Sequence, residues 1–335
     1  MTTVQLEEAK SLIERGTTPY TRLAFVLLDN AAEIVMFRNI ELSLMLNPVN
    51  EQILHSWEEI AERTDDPYVH AEYDEMKTKV VSHGKRKKLD LYFDEKVNFL
   101  QAQERIEPRE GRVLKKLHSY RNELYHRDTA REVTIASACL LYFDLVCSLF
   151  ENLSQFMFQT LGVEPSPVLA KYGPPEMQWG IPSRRAIVTA LRQGLGIDER
   201  GLKLNLVTHL ASRLDELEES LKYIQDNLFG GLVEKLPSGP RRLAIRLAQV
   251  HEEYEYREPP PFEELLKLKL RYSQASITRW KASIKSIDKL NEKLDLFAAF
   301  ADIEDDFEPF ENQVDSLVER LDFQFQREED LRRGK

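Results

Sequence analysis

Turn-forming residues are scarce in this chain: only 13 glycines and 15 prolines occur among its 335 residues. Glycine allows the positive backbone angles of many tight turns, and proline starts turns and interrupts regular hydrogen bonding. A chain with few of both disfavours an all-β fold and favours long helices. We therefore predict an all-α fold, with an N-terminal helical bundle followed by a C-terminal helical, coiled-coil-like region.

No glycine-rich phosphate loop occurs in the sequence, so a P-loop NTPase or a Rossmann-type enzyme is not supported. The only two cysteines, Cys139 and Cys147, are eight positions apart in an apolar helical run. This spacing places them about two helical turns apart, too far for a disulfide. Without a CxxC pair or a Cys/His cluster, we expect no metal site and no cofactor.

Long uninterrupted hydrophobic runs are also missing. A membrane-spanning helix needs ~18 or more consecutive apolar residues, and no such run appears. The N-terminus lacks the basic-then-apolar pattern of a signal peptide, and reduced, buried thiols suit a reducing compartment. We expect a cytoplasmic protein with no membrane association.

Positive charge is in the minority, with 46 lysines and arginines against 57 aspartates and glutamates and a net charge of −11. This balance argues against a protein that coats nucleic acid with its whole surface. One stretch departs from it, because residues 111–131 contain six basic and two acidic residues, an excess of four positive charges. A local anion-binding site is therefore compatible with an acidic protein.

Helical periodicity divides the chain into two parts. In the first part it predicts helices over residues 18–46, 49–63, 72–83, 88–104, 109–124 and 129–160. The basic run 83–88 is predicted as a solvated turn. In the second part the pattern predicts helices over residues 207–228, 241–256, 262–300 and 308–328. We therefore predict a helical bundle over residues 1–160, a Pro/Gly-rich linker over 161–182 and a coiled-coil-like domain over 183–335.

The locally basic stretch contains Arg121, Asn122 and His126. Arginine carries a permanent positive charge on a planar fork of donors, and histidine exchanges a proton near neutral pH. These two side chains are the most useful ones for cleaving a phosphodiester without a metal. The spacing alone is weak evidence, because Arg246 and His251 are also five positions apart.

A straight helix would not bring the arginine and the histidine together. Five helical residues turn by roughly 140° net at ~3.6 residues per turn. Arg121 and His126 would then point to different sides, whereas Asn122 and His126 would share one. We therefore expect that the helix ends or bends near Tyr125, or that a second chain completes the site.

The upstream helix predicted over residues 18–46 is apolar nearly all round but contains Asp29, Asn30 and Glu33. Asp29 and Glu33 are four positions apart and share a helix face. Buried carboxylates need partners. Two interpretations are open: the carboxylates form structural pairs with basic side chains, or they orient the arginine and the histidine of the basic stretch.

The Arg121-Asn122-x-x-x-His126 sequence resembles the signature of HEPN domains (higher eukaryotes and prokaryotes nucleotide-binding). The upstream acidic helix is similar to the first helix of such domains, and the resemblance covers residues 18–160. It implies a bundle of four or five helices that typically dimerises. Many HEPN domains are metal-independent ribonucleases of toxin and antiviral systems.

The sequence departs from some toxin members of this family at one position. Those members have a tyrosine two positions after the histidine, where a partner nucleotidyltransferase modifies it. Here Asp128 occupies that position, and Tyr125 lies on the other side of His126. Antitoxin control by that route is therefore not expected.

The leading hypothesis is a metal-independent endoribonuclease that leaves a cyclic phosphate. His126 would act as general base or acid, Arg121 would stabilise charge on the phosphorus oxygens, Asn122 would hold the backbone or the histidine, and Glu33 and Asp29 would orient the site. The RNA would be held by Arg127, Arg131, Lys115 and Lys116. The expected partners are RNA, a second copy of the chain in a homodimer, and an antitoxin or other defence-system protein.

The alternative hypothesis is a non-catalytic helical dimer, scaffold or RNA-binding module with a degenerate HEPN domain. The heptads of residues 207–228 and 280–297 would then be the functional part. They would bind a partner or sense a trigger.

Overall fold

The structure is a computed structural model that describes residues 1–126, 132–153, 167–173, 182–229, 239–254 and 262–334. This part of the chain contains helices and no strand, which confirms the predicted all-α fold. The helices are α1 (Thr2–Glu14), α2 (Thr18–Met45), α3 (Asn47–Ala61), α4 (Pro67–Lys79), α5 (His83–Leu91), α6 (Phe93–Ala102), α7 (Pro108–His126), α8 (Glu132–Leu153), α9 (Pro167–Ala170), α10 (Arg184–Arg192), α11 (Glu199–Phe229), α12 (Pro240–Ala248), α13 (Phe262–Leu265), α14 (Gln274–Ile287) and α15 (Lys293–Arg332). A 3-10 helix covers His251–Tyr254.

The chain divides into two compact units, Met1–Ile197 and Asp198–Lys335. The division therefore lies later in the chain than the predicted one. Helix α10, which the prediction assigned to the second domain, packs on α1 and α8. The Nε atom of Arg192 in α10 lies 2.8 Å from a carboxylate oxygen of Asp144 in α8. Most of the predicted linker lies outside the described residues.

Helix α2 forms the centre of the first unit, and α1, α6, α7 and α8 pack against it. Thr17 precedes the helix and Pro19 lies in its first turn, where a missing N–H breaks no helical hydrogen bond. Gly16 makes the reversal from α1 with a left-handed backbone (φ +69°) that glycine adopts without steric cost. The predicted helix over 18–46 is confirmed as a core helix. Its buried apolar residues include Ala24, Phe25, Leu28, Ala31, Ala32, Val35, Met36 and Ile40.

Helix α8 packs against α2 and is the most apolar long helix of the first unit. Within the described residues, Thr134–Leu153 is the one helical stretch long and apolar enough to cross a membrane, with a mean hydropathy of 1.5, and 61% of it is buried inside the protein. Asp144 interrupts it, so the sequence shows no continuous apolar run there. Core helices of soluble proteins have the same length and composition, and this feature alone assigns no membrane.

Both cysteines are buried in α8 and are free thiols, as the spacing predicted. Burial raises the pKa of the Cys147 thiol to about 12. Burial raises the pKa of Cys139 as well. Neither thiol is ionised near neutral pH, so neither is a candidate nucleophile.

The basic run predicted as a turn is helical, which corrects that prediction. Residues His83–Leu91 form α5, and the Ser82 side chain caps its start by accepting a hydrogen bond from the Lys85 backbone N–H. Leu89 anchors the helix because its side chain is fully buried. The lysines and the arginine of the run lie on the exposed face. The prediction failed because one buried leucine and one cap suffice to hold a charged helix.

The helix predicted over 262–300 is also wrong, because the structure breaks it into α13, α14 and the start of α15. A capping box between Ser273 and Ser276 starts α14. Helix α15 then continues through Pro309, where a separate helix had been predicted to begin. A proline inside a helix costs about 3 kcal/mol or more. The buried rings of Phe307 and Phe310 on either side offset that cost by packing in the core.

Leucines of the predicted heptad over 207–228 pack inside the second unit, where α11 contacts α12, α14 and α15. The buried positions are Leu210, Leu214, Leu217, Leu221 and Ile224. Val207 and Leu228, at the ends of the predicted seam, are only partly buried. The central seam is therefore occupied by the unit's own helices, which leaves little of it for a partner.

A buried ionic cluster joins α11 to α15. Arg213 donates hydrogen bonds to Glu304, which is fully buried, and to both carboxylate oxygens of Glu311, one of them at 2.9 Å. Its guanidinium also lies 5.3 Å from the centre of the Phe307 ring. Glu304 is fully buried and Glu311 is partly buried, and the arginine compensates the charge of both carboxylates.

Replacing Arg213 with alanine should lower the free energy of unfolding of the protein by about 3–5 kcal/mol, because one buried and one partly buried carboxylate lose a cation. Chemical denaturation followed by circular dichroism measures the change. The matched control is Arg332→Ala, which removes an exposed pair with Glu328 and should cost at most about 0.5 kcal/mol. Equal effects of the two substitutions would contradict the structural role of the cluster.

Candidate functional site

One buried carboxylate, that of Asp29 in α2, joins three helices. Its exposed fraction is 1%. The Tyr142 hydroxyl in α8 donates to its Oδ1 atom at 2.8 Å, and the Nδ1 atom of His118 in α7 lies 2.9 Å from the same oxygen. The Nε atom of Arg121 in α7 lies 3.5 Å from Oδ2. The acidic helix and the basic stretch therefore meet, and Asp29 holds the predicted arginine together with a histidine that the motif did not include.

The protonation of these groups follows from the contacts. Burial raises the pKa of Tyr142 well above its ordinary value, and the neighbouring Asp29 carboxylate raises it further. Tyr142 therefore keeps its hydrogen and donates it. For His118 to donate to the carboxylate, Nδ1 must carry a hydrogen, and Nε2 is then the second ring nitrogen, which the contact with Asp29 does not use.

The His118 ring is also fixed by stacking. Phe93, the first residue of α6, lies parallel to it with 4.1 Å between ring centres and 3° between ring planes. The Phe93 side chain is itself buried. A hydrogen bond in the ring plane and a ring stacked on its face together determine the position and orientation of the imidazole.

Arg121 lies between the buried carboxylate and Asn122. Its Nη1 atom donates to Oδ1 of Asn122 at 3.0 Å, and its side chain is 34% exposed. The guanidinium is therefore positioned by Asp29 and Asn122 and still reaches the surface. Asn122 thus holds the arginine, whereas the sequence had suggested that it holds the backbone or the histidine.

His118 and Asn122 line an open cleft of about 460 Å³. The other lining residues are Lys88, Tyr92, Phe93, Asp94 and Glu95. The cleft therefore has an aromatic wall and charges of both signs. Its two acidic residues lie in the first turn of α6, where they compensate the partial positive charge of the helix N-terminus.

Glu33 has a different partner from the one expected. Its carboxylate lies 2.9 Å from the Nζ atom of Lys96, and Lys96 is almost completely buried in α6. These contacts favour the structural interpretation, in which the Glu33 carboxylate pairs with a basic side chain. The sequence contains a signal for Lys96, because it lies among Phe93, Val97 and Leu100 on the apolar face of that helix.

His118 also has a sequence signal that the five-residue motif obscured. It precedes Arg121 by three positions and Asn122 by four, so the three side chains share one face of a helix. Helix α7 is described as helical through residue 126, one residue beyond the expected bend near Tyr125. The side chain of His126, and all of Arg127 and Arg131, lie outside the described residues.

The two lysines proposed to hold RNA differ in exposure. Lys115 is partly exposed and donates to Asn98 at 2.6 Å. Lys116 is only 6% exposed, and its ammonium lies 5.3 Å from the centre of the Tyr120 ring. A side chain this buried offers little surface to a phosphate, so Lys115 is the better candidate of the two.

Arg246 and His251 are the second arginine–histidine pair with a spacing of five, and their contacts indicate a structural role. His251 is buried, with Nδ1 2.8 Å from the Ala248 carbonyl oxygen and Nε2 3.1 Å from the Ser316 hydroxyl. Arg246 donates to the carbonyl oxygens of Leu265, at 2.6 Å, and Leu268. Both nitrogens of this histidine are engaged, and no carboxylate links it to the arginine among these contacts.

Comparison of the chain with models of known protein families, with curated proteins and with solved structures finds no match in any of the three. Within the described residues there is also no group of three or more His, Cys, Asp or Glu side chains that could hold a metal ion. The geometry around Asp29 is therefore the feature of the molecule that bears on its function.

Replacing Tyr142 with phenylalanine should lower the free energy of unfolding by about 1–3 kcal/mol, because a buried carboxylate loses a hydrogen-bond donor. Thermal and chemical denaturation measure the change. The control is Tyr68→Phe, which alters an exposed ring on α4 and should change stability by less than about 0.5 kcal/mol. An unchanged stability for Tyr142→Phe would argue against a carboxylate that depends on this hydroxyl.

Proposed function

We propose that the first unit is a metal-independent endoribonuclease of the HEPN type found in toxin and antiviral-defence systems. The observation that supports it best is the buried Asp29 carboxylate, which contacts two side chains on one face of α7: the imidazole of His118, which lines an open cleft, and the guanidinium of Arg121. In RNA cleavage the ribose 2′-hydroxyl attacks the neighbouring phosphodiester. A proton acceptor for that hydroxyl and a permanent cation for the phosphorus oxygens are two of the groups that assist this reaction.

His118 is the proposed general base. Its Nδ1–H is directed to Asp29 at 2.9 Å, so the lone pair on Nε2 is available to accept the proton of the ribose 2′-hydroxyl. The 2′-oxygen then attacks the phosphorus atom and displaces the 5′-oxygen of the next nucleotide. Asp29 stabilises the imidazolium that forms, as the carboxylate does in a Ser-His-Asp triad.

Arg121 stabilises the charge on the phosphorus oxygens in the transition state. Its contacts with Asp29 and Asn122 direct the guanidinium before the substrate binds, so little reorganisation is needed during the reaction. Lysine would retain the charge at this position but would lose the planar fork.

The HEPN resemblance makes His126 a general base or acid, and with His118 as the base we assign His126 the role of general acid. The leaving 5′-oxygen must gain a proton as its bond to phosphorus breaks, and a protonated imidazole supplies it. The products are a 2′,3′-cyclic phosphate and a free 5′-hydroxyl, so atoms and charge balance without a metal or a cofactor.

RNA cleavage in excess chelator should fall by about 100-fold or more in Arg121→Ala, His118→Ala and His126→Ala, because each removes a group that acts in the transition state. Arg121→Lys should also be impaired. The matched controls are His55→Ala and Arg38→Ala, at exposed positions of the same unit. Gel analysis of a labelled RNA measures the rates and detects the cyclic phosphate.

A further variant separates chemistry from packing. In His118→Asn, the amide can donate to Asp29 as Nδ1 does, but it has no basic nitrogen. This variant should fold with near-parental stability and still fail to cleave RNA. Parental cleavage by the Arg121, His118 and His126 variants would exclude the ribonuclease and leave the non-catalytic scaffold.

We also propose that the protein is a homodimer through its first unit. Helix α3 has no buried residue. Four apolar residues, one directly before the helix and three within it, form an exposed stripe. These are Leu46, Val49, Ile53 and Ile60. Their spacing of three, four and seven positions places them on one side of the helix. Two copies that join these stripes would remove apolar surface from water.

Sedimentation at micromolar concentration should therefore give a dimer, and Ile53→Glu should shift it to a monomer by placing a charge within the apolar stripe. His55→Glu adds the same charge about 200° around the helix and should leave the dimer intact. A monomeric parent protein would refute the dimer without bearing on the cleavage result.

A further inference from the structure

Three arginines lie together on the surface of α12 in the second unit. Arg241, Arg242 and Arg246 line a cleft of about 500 Å³, and none of the described residues that line it bears a carboxylate. This is unusual in a protein whose net charge is −11. The volume is in the range of small-molecule binding sites, and the surplus of charge calls for an anion.

Within the part of the chain that the structure describes, the contacts of the arginines leave most of this charge without compensation. Arg246 donates to the carbonyl oxygens of Leu265 and Leu268, which are neutral acceptors. Arg241 donates to the carbonyl oxygen of Glu218 at 3.0 Å, and its guanidinium lies 3.9 Å from the Glu218 carboxylate. Lys281 contacts that same carboxylate at 2.5 Å, so one negative charge serves two cations.

The charges also repel one another. Arg242 and Arg246 are four positions apart on one helix and share a face. Burial lowers the pKa of Arg246, and the neighbouring Arg242 lowers it further. Burial also lowers the pKa of Arg241. A bound anion would relieve this repulsion.

The opposite wall of the cleft also carries partial positive charge. It is formed by Ser273, which caps the start of the 14-residue helix α14, and by Gln274 and Ala275 in its first turn. Backbone N–H groups at a helix start carry partial positive charge and bind anions. Arginines on one wall and a helix start on the other favour negative charge between them.

The cleft is formed in advance and is partly apolar. Gln249 holds the rim by accepting from the Tyr272 backbone N–H at 2.8 Å and donating to its carbonyl oxygen at 2.9 Å. The Tyr272 ring is buried against Trp280 and Phe310. Tyr272 and Ile245 add apolar surface to the lining. A ligand here needs an organic part as well as its charges.

We propose that this arginine cleft binds a small organic polyphosphate, such as a nucleoside di- or triphosphate. Several phosphate groups match several guanidinium groups, and the apolar lining accommodates a base or a sugar. A cleft bounded on both sides by helices suits a compact ligand better than an extended RNA strand. This inference does not depend on the ribonuclease proposal, because it concerns other residues.

Isothermal titration of the full-length protein with ATP, GTP, ADP, pyrophosphate and adenosine tests the proposal. We expect the nucleoside triphosphates to bind more tightly than pyrophosphate, and adenosine not to bind. Arg242→Ala should weaken triphosphate binding about tenfold or more, because a charge-assisted contact is lost. Arg200→Ala, at an exposed position of the same unit, should have no effect.

A second variant distinguishes a loss of ligand binding from a loss of the fold. Ala275→Asp places a carboxylate at the start of α14, where it favours the helix but repels an anion in the cleft. It should retain parental stability and lose triphosphate binding. The proposal is overturned if no phosphate compound binds at millimolar concentration, if Arg242→Ala and Ala275→Asp bind as the parent does, or if a single-stranded RNA oligonucleotide displaces the triphosphate through the same residues.

Discussion

The buried carboxylate of Asp29 is the interaction on which the first unit depends. An unpaired carboxylate in the interior costs several kilocalories per mole, so the side of α2 that contains Asp29 can be buried only where partners reach the carboxylate. Tyr142 in α8 and His118 and Arg121 in α7 meet that need. Rotating α7 about its axis by one residue, about 100°, would move both His118 and Arg121 away from Asp29. The requirement that stabilises the core therefore also aligns the imidazole with the guanidinium.

Much of this arrangement follows from sequence pattern alone. An apolar helix that is interrupted by one acidic residue must find a basic or hydroxyl partner, and a locally basic helix is the evident source. The pairing of the Asp29 region with Arg121 was accordingly within reach. Two further partners, His118 for Asp29 and Lys96 for Glu33, were not predicted. Local periodicity identifies which face of a helix is buried but not which helix it meets.

The errors in the prediction of the fold have a similar origin, because local sequence does not reveal the tertiary contacts. The run from 83 to 88 was judged by its charges, although one capping serine and one buried leucine determine its conformation. A separate helix was predicted over residues 308–328 from its apolar periodicity, yet α15 continues through Pro309, and packing of the rings beside this proline maintains it. In both cases a local preference of a few kilocalories per mole or less yields to tertiary contacts of similar or larger size.

The contrast between two arginine–histidine pairs with equal spacing shows what distinguishes a candidate site from a structural contact. His251 has both ring nitrogens engaged in the interior of the second unit, and Arg246 is bound to peptide carbonyls. His118 is engaged by a carboxylate through one nitrogen and lines an open cleft. A histidine acts on a substrate only if a ring nitrogen remains for it. The environment that Asp29 creates, rather than the interval between arginine and histidine, is therefore the feature by which such a site is recognised.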